Sequence, residues 1–320
     1  MRLLITGVSG FAGQHLAKHL LQQYPSAEIF GTVFRSVTHH LPEKIQCHQV
    51  DLCDETAVLS LISAIRPDVI YHLAGQASAA RSFENPRQTL KTNIFAGFNL
   101  LEACTEVGIR PRIISVSSAD IYGIVPSEKL PITEDMPLHP ASPYSLSKAT
   151  QDLMGLQYYH SHQLPVIRAR AFNHIGPGQR DRFVAPSFAL QIARIEAGLQ
   201  EAVISVGNLE AQRDFTDVRD VVRAYVNLAE KGQPGTAYNI ASNHVYTIQH
   251  LLDTLLSLTT TTIDVRIDTA RLRPSDMPII QGDYTRLHQA TGWQPSIDFT
   301  QTLHDILEDC RERIEITLRS

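Results

Sequence analysis

Short runs of β-branched and apolar residues alternate along the chain with longer segments in which apolar positions recur every three or four residues. The short runs predict strands over residues 2–6, 28–34, 45–51, 69–74, 112–117 and 166–172. Each is a short β-branched or apolar run, as expected for strands buried on both faces. The longer segments predict helices, among them 11–23, 55–65, 89–107 and 143–161. Strand and helix in alternation predict an α/β fold, a Rossmann-type doubly wound parallel sheet with helices on both sides. Beyond Pro177 the pattern loosens: Gly, Pro and Asp become frequent, and short runs such as 203–206 and 238–240 stand between helices. A smaller, discontinuous C-terminal lobe is expected there. The division expected is 1–165 for the sheet domain, with later segments returning to it, and 166–320 mainly for the second lobe.

Composition narrows the class. The chain has 320 residues, 43% hydrophobic and 19% charged, enough to bury a full core and unlike a disordered chain. A formal net charge of −5 at pH 7 argues against a nucleic-acid partner, whose phosphates need a basic surface. Cys47, Cys53, Cys104 and Cys310 have neither metal-ligand nor disulfide-framework spacing, which suits a reducing compartment. The opening MRLLITG is too short an apolar run for a signal peptide, and no stretch is apolar for the length of a membrane span. A cytoplasmic enzyme with no membrane partner is expected. None of the 14 histidines falls into a metal-binding spacing, so no metal is expected.

The junction between the first strand and first helix reads Gly7-Val8-Ser9-Gly10-Phe11-Ala12-Gly13. Three glycines let the backbone turn sharply and approach a pyrophosphate, and the helix N-terminus adds unpaired N–H groups and a positive dipole end. The spacing is GxxGxxG rather than GxGxxG, so its place in a βαβ unit carries the assignment of Gly7, Ser9, Gly10, Phe11, Ala12 and Gly13 to a dinucleotide. An NAD enzyme usually ends its second strand in a carboxylate that binds the ribose 2′-hydroxyl. Here the end reads Val33-Phe34-Arg35-Ser36. Arg35 can pair with a 2′-phosphate, or it can be an ordinary solvated charge. NADP(H) is the expected preference, with NAD(H) also allowed.

Tyr144 and Lys148 stand four apart at the start of a predicted helix and share one face. A nearby ammonium favours the phenolate, so Lys148 is expected to lower the Tyr144 pKa toward the working range. Ser118 follows the fifth strand, at the edge that faces the ligand crevice in open parallel sheets, where a hydroxyl can bond a reacting oxygen. Each feature alone has an ordinary alternative: an exposed helix pair, or a strand-end cap.

Taken together these motifs resemble the extended short-chain dehydrogenase/reductase family over nearly the whole chain. The resemblance also takes in Asp51-Leu52, Tyr71-His72-Leu73-Ala74-Gly75, Thr92-Asn93, the run from Gly97 to Ala103, and Thr291-Gly292-Trp293-Gln294-Pro295. It implies that Ser118, Tyr144 and Lys148 form the catalytic triad, with Lys148 also holding the nicotinamide ribose. It further implies that Asp51 and Leu52 lie beside the adenine, that Ala74 and Gly75 line the cofactor floor, and that helices 89–107 and 143–161 build a homodimer interface. Ile94, Phe98, Leu101, Leu153, Leu156 and Tyr159 supply apolar positions for that interface, although a face packed on the sheet would absorb some of them.

The second half suggests the substrate. Arg213 and Arg273 suit a diphosphate clamp, and Asp276 suits paired ribose hydroxyls; Arg213 and Asp214 could equally form a salt bridge between lobes. The wording of these motifs is similar to the GDP-mannose-modifying branch, its 4,6-dehydratases and the reductases that follow them. That resemblance implies a GDP-linked deoxy-keto sugar bound by Ser118, Asn173, Val184, Arg213, Arg273 and Asp276. The run from Arg182 to Arg223 looks most like the reductases, which reduce the carbon-4 ketone of GDP-4-keto-6-deoxy-D-mannose to GDP-D-rhamnose (GDP-6-deoxy-D-mannose). Where the dehydratases carry a glutamate that removes a proton, this chain has Asp120, and its loop after residue 34 is short. Reduction is therefore expected ahead of dehydration, with a non-enzymatic NADP-sensing module as the third reading.

Overall fold

The computed structural model describes residues 1–34, 41–271 and 278–319. Its frame is a seven-stranded sheet, every strand parallel, in the order β10-β6-β5-β4-β1-β2-β3. The strands are β1 (Arg2–Thr6), β2 (Glu28–Val33), β3 (Ile45–Gln49), β4 (Val69–His72), β5 (Arg112–Ser118), β6 (Val166–Ala171) and β10 (Ala237–Ile240). The last two come from beyond residue 165. Successive side chains of a strand enter opposite faces. On β1, Leu3 and Ile5 enter one core with Leu16, Leu20, Val221 and Trp293, while Leu4 enters the other with Ile70, Leu100 and Ile113.

Helices α1 (Phe11–Gln23), α2 (Glu55–Ile65), α3 (Ala79–Glu84), α4 (Pro86–Glu106), α5 (Pro143–His162), α7 (Val218–Lys231) and α9 (Thr285–Thr291) surround this sheet. The expected helices 11–23 and 55–65 are found as drawn. The helix expected from 89 begins three residues earlier, because the Asn85 side chain accepts from Gln88 N at 3.2 Å and Pro86 occupies the first helical position. Strands expected to reach 34, 51, 74 and 172 stop one or two residues sooner, as their ends leave the ladder to line the crevice. The fully buried Trp293 donates to Asp220 O at 3.0 Å, and Asp220 accepts from Ser296 N and Ile297 N, which fastens the late Thr291–Pro295 motif to α7.

The second lobe gathers β7 (Asn173–Ile175), β9 (Gln212–Asp217), β11 (Val245–Thr247) and β13 (Ile279–Ile280) into one small sheet, and β8 (Val203–Val206) with β12 (Asp264–Ile267) into a pair. Helices α6 (Val184–Glu196), α8 (Ile248–Ser257) and α10 (Phe299–Arg319) pack there around Phe188, Ile192, Leu251, Leu255, Leu303 and Leu307. Among the described residues no helix is long and apolar enough to cross a membrane.

Candidate active site

All the parallel strands end on one edge of the sheet, so the turns after them share a crevice. The turn after β1 is shaped by contacts only glycine allows. Gly7 adopts φ +70°, and a Cβ there would stand 2.9 Å from Ala74 Cα; a Cβ on Gly13 would stand 2.4 Å from Gly7 O. Gly10 precedes α1 and no side chain caps the helix, so N–H groups of Phe11, Ala12 and Gly13 stay available to an anion. Ser9 O is occupied, accepting from Gln14 Nε2 at 3.0 Å. This cradle and bare helix end fit a dinucleotide pyrophosphate.

The neighbouring turns are tied to it. Thr6 Oγ1 accepts from Leu73 N and Ala74 N, both at 3.1 Å, which holds the end of β4 against β1. Asp51 Oδ1 accepts from Cys53 N at 2.9 Å, and Leu52 is buried with its carbonyl accepting from Asn99 at 3.0 Å. Ala74 and Gly75 lead to Gln76, which Asn93 grips from both sides: Oδ1 accepts from Gln76 N at 2.7 Å, and Nδ2 donates to Gln76 O at 3.1 Å. Asn93 also donates to Ser147 Oγ at 2.8 Å, linking this loop to α5. Thr92-Asn93 carries no visible task in the motif itself; a polar side chain amid helical apolar positions is its signal in the sequence.

Ser118 ends β5 and caps a short 3₁₀ turn, accepting from Asp120 N at 3.2 Å. Helix α5 begins beside it under a reciprocal Ser142–Ser145 capping box with Pro143 in first position, which places Tyr144 and Lys148 on the first turns. The Ser118 hydroxyl hydrogen-bonds the Tyr144 phenol. Burial pushes the Tyr144 pKa well above the ordinary phenol range, the nearby Asp120 carboxylate pushes the same way, and the Ser118 bond opposes them. Lys148 does not lower the phenol's pKa as the spacing led us to expect. Its amine instead donates to Val116 O at 2.5 Å and to Gln151 Oε1 at 2.8 Å. Burial lowers the Lys148 pKa to about 8, against the pull of Asp152.

The substrate candidates divide. Asn173 opens β7 opposite Phe215 of β9, Val184 starts α6, and Arg213 lies on β9, half-buried, with Nη1 donating to Gln212 O at 2.9 Å. Asp214, considered as a salt-bridge partner of Arg213, instead receives hydrogen bonds from Ser242, Asn243 and Gly282. Arg35, Arg273 and Asp276 lie outside the described residues. Among the described residues no cluster of His, Cys, Asp or Glu could hold a metal.

Comparison with known proteins follows the same lines. A family model described as GDP-mannose 4,6 dehydratase matches residues 4–306. The chain is 36% identical to GDP-6-deoxy-D-mannose reductase of Pseudomonas aeruginosa over 313 residues, 98% of each chain. It is 29% identical to GDP-mannose 4,6 dehydratase 2 of Arabidopsis thaliana, over 96% of this chain and 86% of that one. Among solved structures, that of RMD from Pseudomonas aeruginosa complexed with NADPH superposes with a TM-score of 0.85 at 36% identity, covering 98% of this chain and 99% of the other. The chain thus belongs to the GDP-mannose 4,6 dehydratase family, within the extended short-chain dehydrogenases/reductases.

Proposed function

We propose that this protein reduces the carbon-4 ketone of GDP-4-keto-6-deoxy-D-mannose, yielding GDP-D-rhamnose. The carrying observation is the Ser118–Tyr144 pair, in which burial and Asp120 keep the phenol protonated across the neutral range. A ketone being reduced needs a proton donor at the developing alkoxide, and a phenol that is protonated at rest and stands beside the Ser118 hydroxyl can supply that proton. Ser118 positions and polarises the ketone oxygen. The Gly7–Gly13 turn and the α1 N-terminus would hold the pyrophosphate of NADPH, which when bound would supply the hydride. Lys148 holds the nicotinamide ribose, Asp51 and Leu52 flank the adenine, and Ala74 and Gly75 form the floor. Asn173, Val184, Arg213, Arg273 and Asp276 hold the sugar nucleotide. Support comes from the relative named as a reductase and from the similar structure solved with NADPH.

The test is to mix the keto sugar with NADPH and follow absorbance at the nicotinamide band. Loss of NADPH equal to product formed is the expected result. Conversion of GDP-mannose alone to the keto sugar, without net cofactor turnover, would replace this reading with the dehydratase, and Asp120 would become the base. Arg35 reads the 2′-phosphate, so Arg35→Ala should raise KM for NADPH at least tenfold while leaving that for NADH nearly unchanged; equal losses would remove Arg35 from that role.

The enzyme acts as a cytoplasmic homodimer. Phe95, Phe98, Leu146 and Leu153 of α4 and α5 are 40–52% exposed, an apolar patch that a twofold partner would cover. Leu101, counted toward that patch from the sequence, is 6% exposed and belongs to the core under the sheet.

A further inference from the structure

One of the two acceptors that hold the Lys148 amine is a side chain whose own direction needs a cause. Gln151 is 2% exposed and turns Oε1 toward Lys148 Nζ at 2.8 Å, while its Nε2 is buried without a hydrogen-bond partner. An amide turned end for end would set N–H against the ammonium. Something must therefore hold Nε2 away from Lys148.

His72 leaves a second such atom close by. Because Thr6 Oγ1 already accepts from Leu73 N and Ala74 N, its own proton goes to His72 Nδ1 at 2.8 Å. The ring hydrogen is then on Nε2, which is buried without a partner. Burial, aided by the nearby Lys148 charge, lowers the His72 pKa to about 3, so the ring is neutral. His72 and Gln151 line one cavity of about 10 Å³ together with Gly97, Ser115 and the apolar side chains of Leu100, Leu101 and Ile113. That is about the room one water molecule needs, and although three aliphatic side chains form part of its wall, two unpartnered buried N–H groups and a serine favour filling it.

We propose that this cavity binds a single water molecule, which accepts from His72 Nε2–H and Gln151 Nε2–H and so makes Gln151 a positioning residue for Lys148. Ser115 is at hand to take a proton of the water. Gly97 keeps the space: a Cβ there would stand 3.5 Å from both His72 Nε2 and Gln151 Cγ, ordinary contact distances that close the cavity without a clash. The inference rests on the reductase reading, through the place of Lys148 beside Tyr144.

The charged groups around Lys148 are Asp152 on its own helix, itself paired with Arg168 and Arg170 of β6, and Asp120, which acts on Tyr144; His72 of β4 is neutral. Gln151→Met keeps the bulk but removes the acceptor that favours the ammonium. The alkaline limb of the kcat profile should move down by about one pH unit and kcat fall about tenfold, with KM for the sugar nearly constant. Gln151→Glu restores an acceptor and should return the limb to or above its original pH. Gly97→Ala should shift the limb in the same direction as Gln151→Met by displacing the water, and thermal unfolding checks that the fold is intact. A high-resolution crystal structure of the unmodified protein should show one ordered water within hydrogen-bond reach of both nitrogens. A reversed Gln151 amide, or unchanged profiles in both Gln151→Met and Gly97→Ala while Tyr144→Phe is inactive, overturns the positioning role and leaves the reductase reading standing. Activity in Tyr144→Phe overturns that reading instead.

Discussion

The two sides of the crevice answer a buried carboxylate by different means. On the cofactor side the Asp152 side chain is 0% exposed and meets two cations, Arg168 Nη1 at 2.8 Å and Arg170 Nε at 2.9 Å. Residues two apart on β6 share a face, so one carboxylate on α5 can collect both guanidinium groups. Arg170 continues to Tyr122 OH at 2.9 Å, and Tyr122 donates to Asn239 at 2.7 Å. On the substrate side Asp214 is also 0% exposed, yet its four hydrogen bonds come from neutral donors: Ser242 N and Oγ, Asn243 N and Gly282 N. Burial outweighs them and pushes its pKa up to about 6. A regular sheet brings long charged side chains into register, whereas a lobe of short strands and turns offers mainly backbone N–H groups. The second raises the carboxylate's pKa, so that it takes up a proton in mild acid.

Turnover should separate the two sides most widely. Tyr144→Phe is expected to lower kcat by about two to four orders of magnitude, with NADPH affinity in fluorescence titration almost unchanged, because the hydroxyl acts mainly in the transition state. Near-normal kcat would show that the cofactor side does not house the proton donor.

Stability comes next. Asp152→Asn leaves two buried guanidinium groups without their carboxylate and should cost about 3–5 kcal/mol in urea unfolding. A cost below about 1 kcal/mol would mean that the arginines are satisfied elsewhere, and the contrast with Asp214 would collapse.

Acid should then move the two sides in opposite directions. The folded pKa of Asp214, about 6, lies above the unfolded aspartate value of about 3.9, so the folded state binds the proton more tightly. Its contribution is most favourable below about pH 4 and is lost as pH rises through about 6, an effect of roughly 3 kcal/mol. His72 has its folded pKa lowered, so its contribution is present above the unfolded histidine value of about 6.5 and is lost as pH falls toward 3. The destabilisation caused by Asp214→Asn should therefore grow as pH falls from 7 to 4 in parallel denaturant titrations. A penalty that stays constant, or shrinks with acid, would show that the four donors hold Asp214 ionised.

The smallest effect is expected outside both networks. Leu153→Glu, at a residue 52% exposed, should leave folding stability within about 0.5 kcal/mol while lowering the light-scattering mass toward 35.6 kDa. If the unmodified protein already has that mass at micromolar concentration, there is no dimer.

Motifs spanning a few residues were readable because their physics is local. The Gly7–Gly13 turn, the Tyr144–Lys148 spacing and the capped starts of α2 and α5 all act within one or two helical turns. The strand ends were read one or two residues too long, since nothing in the local sequence marks where a strand leaves the ladder. Asn93 and His72 carry no legible task in the sequence because their partners are remote. Thr6 and His72 are 66 residues apart, Asn93 and Ser147 54 apart, and Asp214 and Gly282 68 apart.

The order of apolar and polar residues by itself determined a parallel sheet between helices and the glycine turn after its first strand, while the family resemblance implied which hydroxyl, phenol and amine to seek at the crevice. Periodicity and backbone geometry operate over neighbouring residues, so a chain read in order reveals them. The tertiary structure alone decided the electrostatics: that burial and Asp120 hold the Tyr144 proton, that Lys148 turns to Val116 and Gln151, and that Asp214 faces neutral donors. A charge in a low-dielectric interior responds to whatever lies within a few ångströms, and folding, not sequence adjacency, chooses those neighbours.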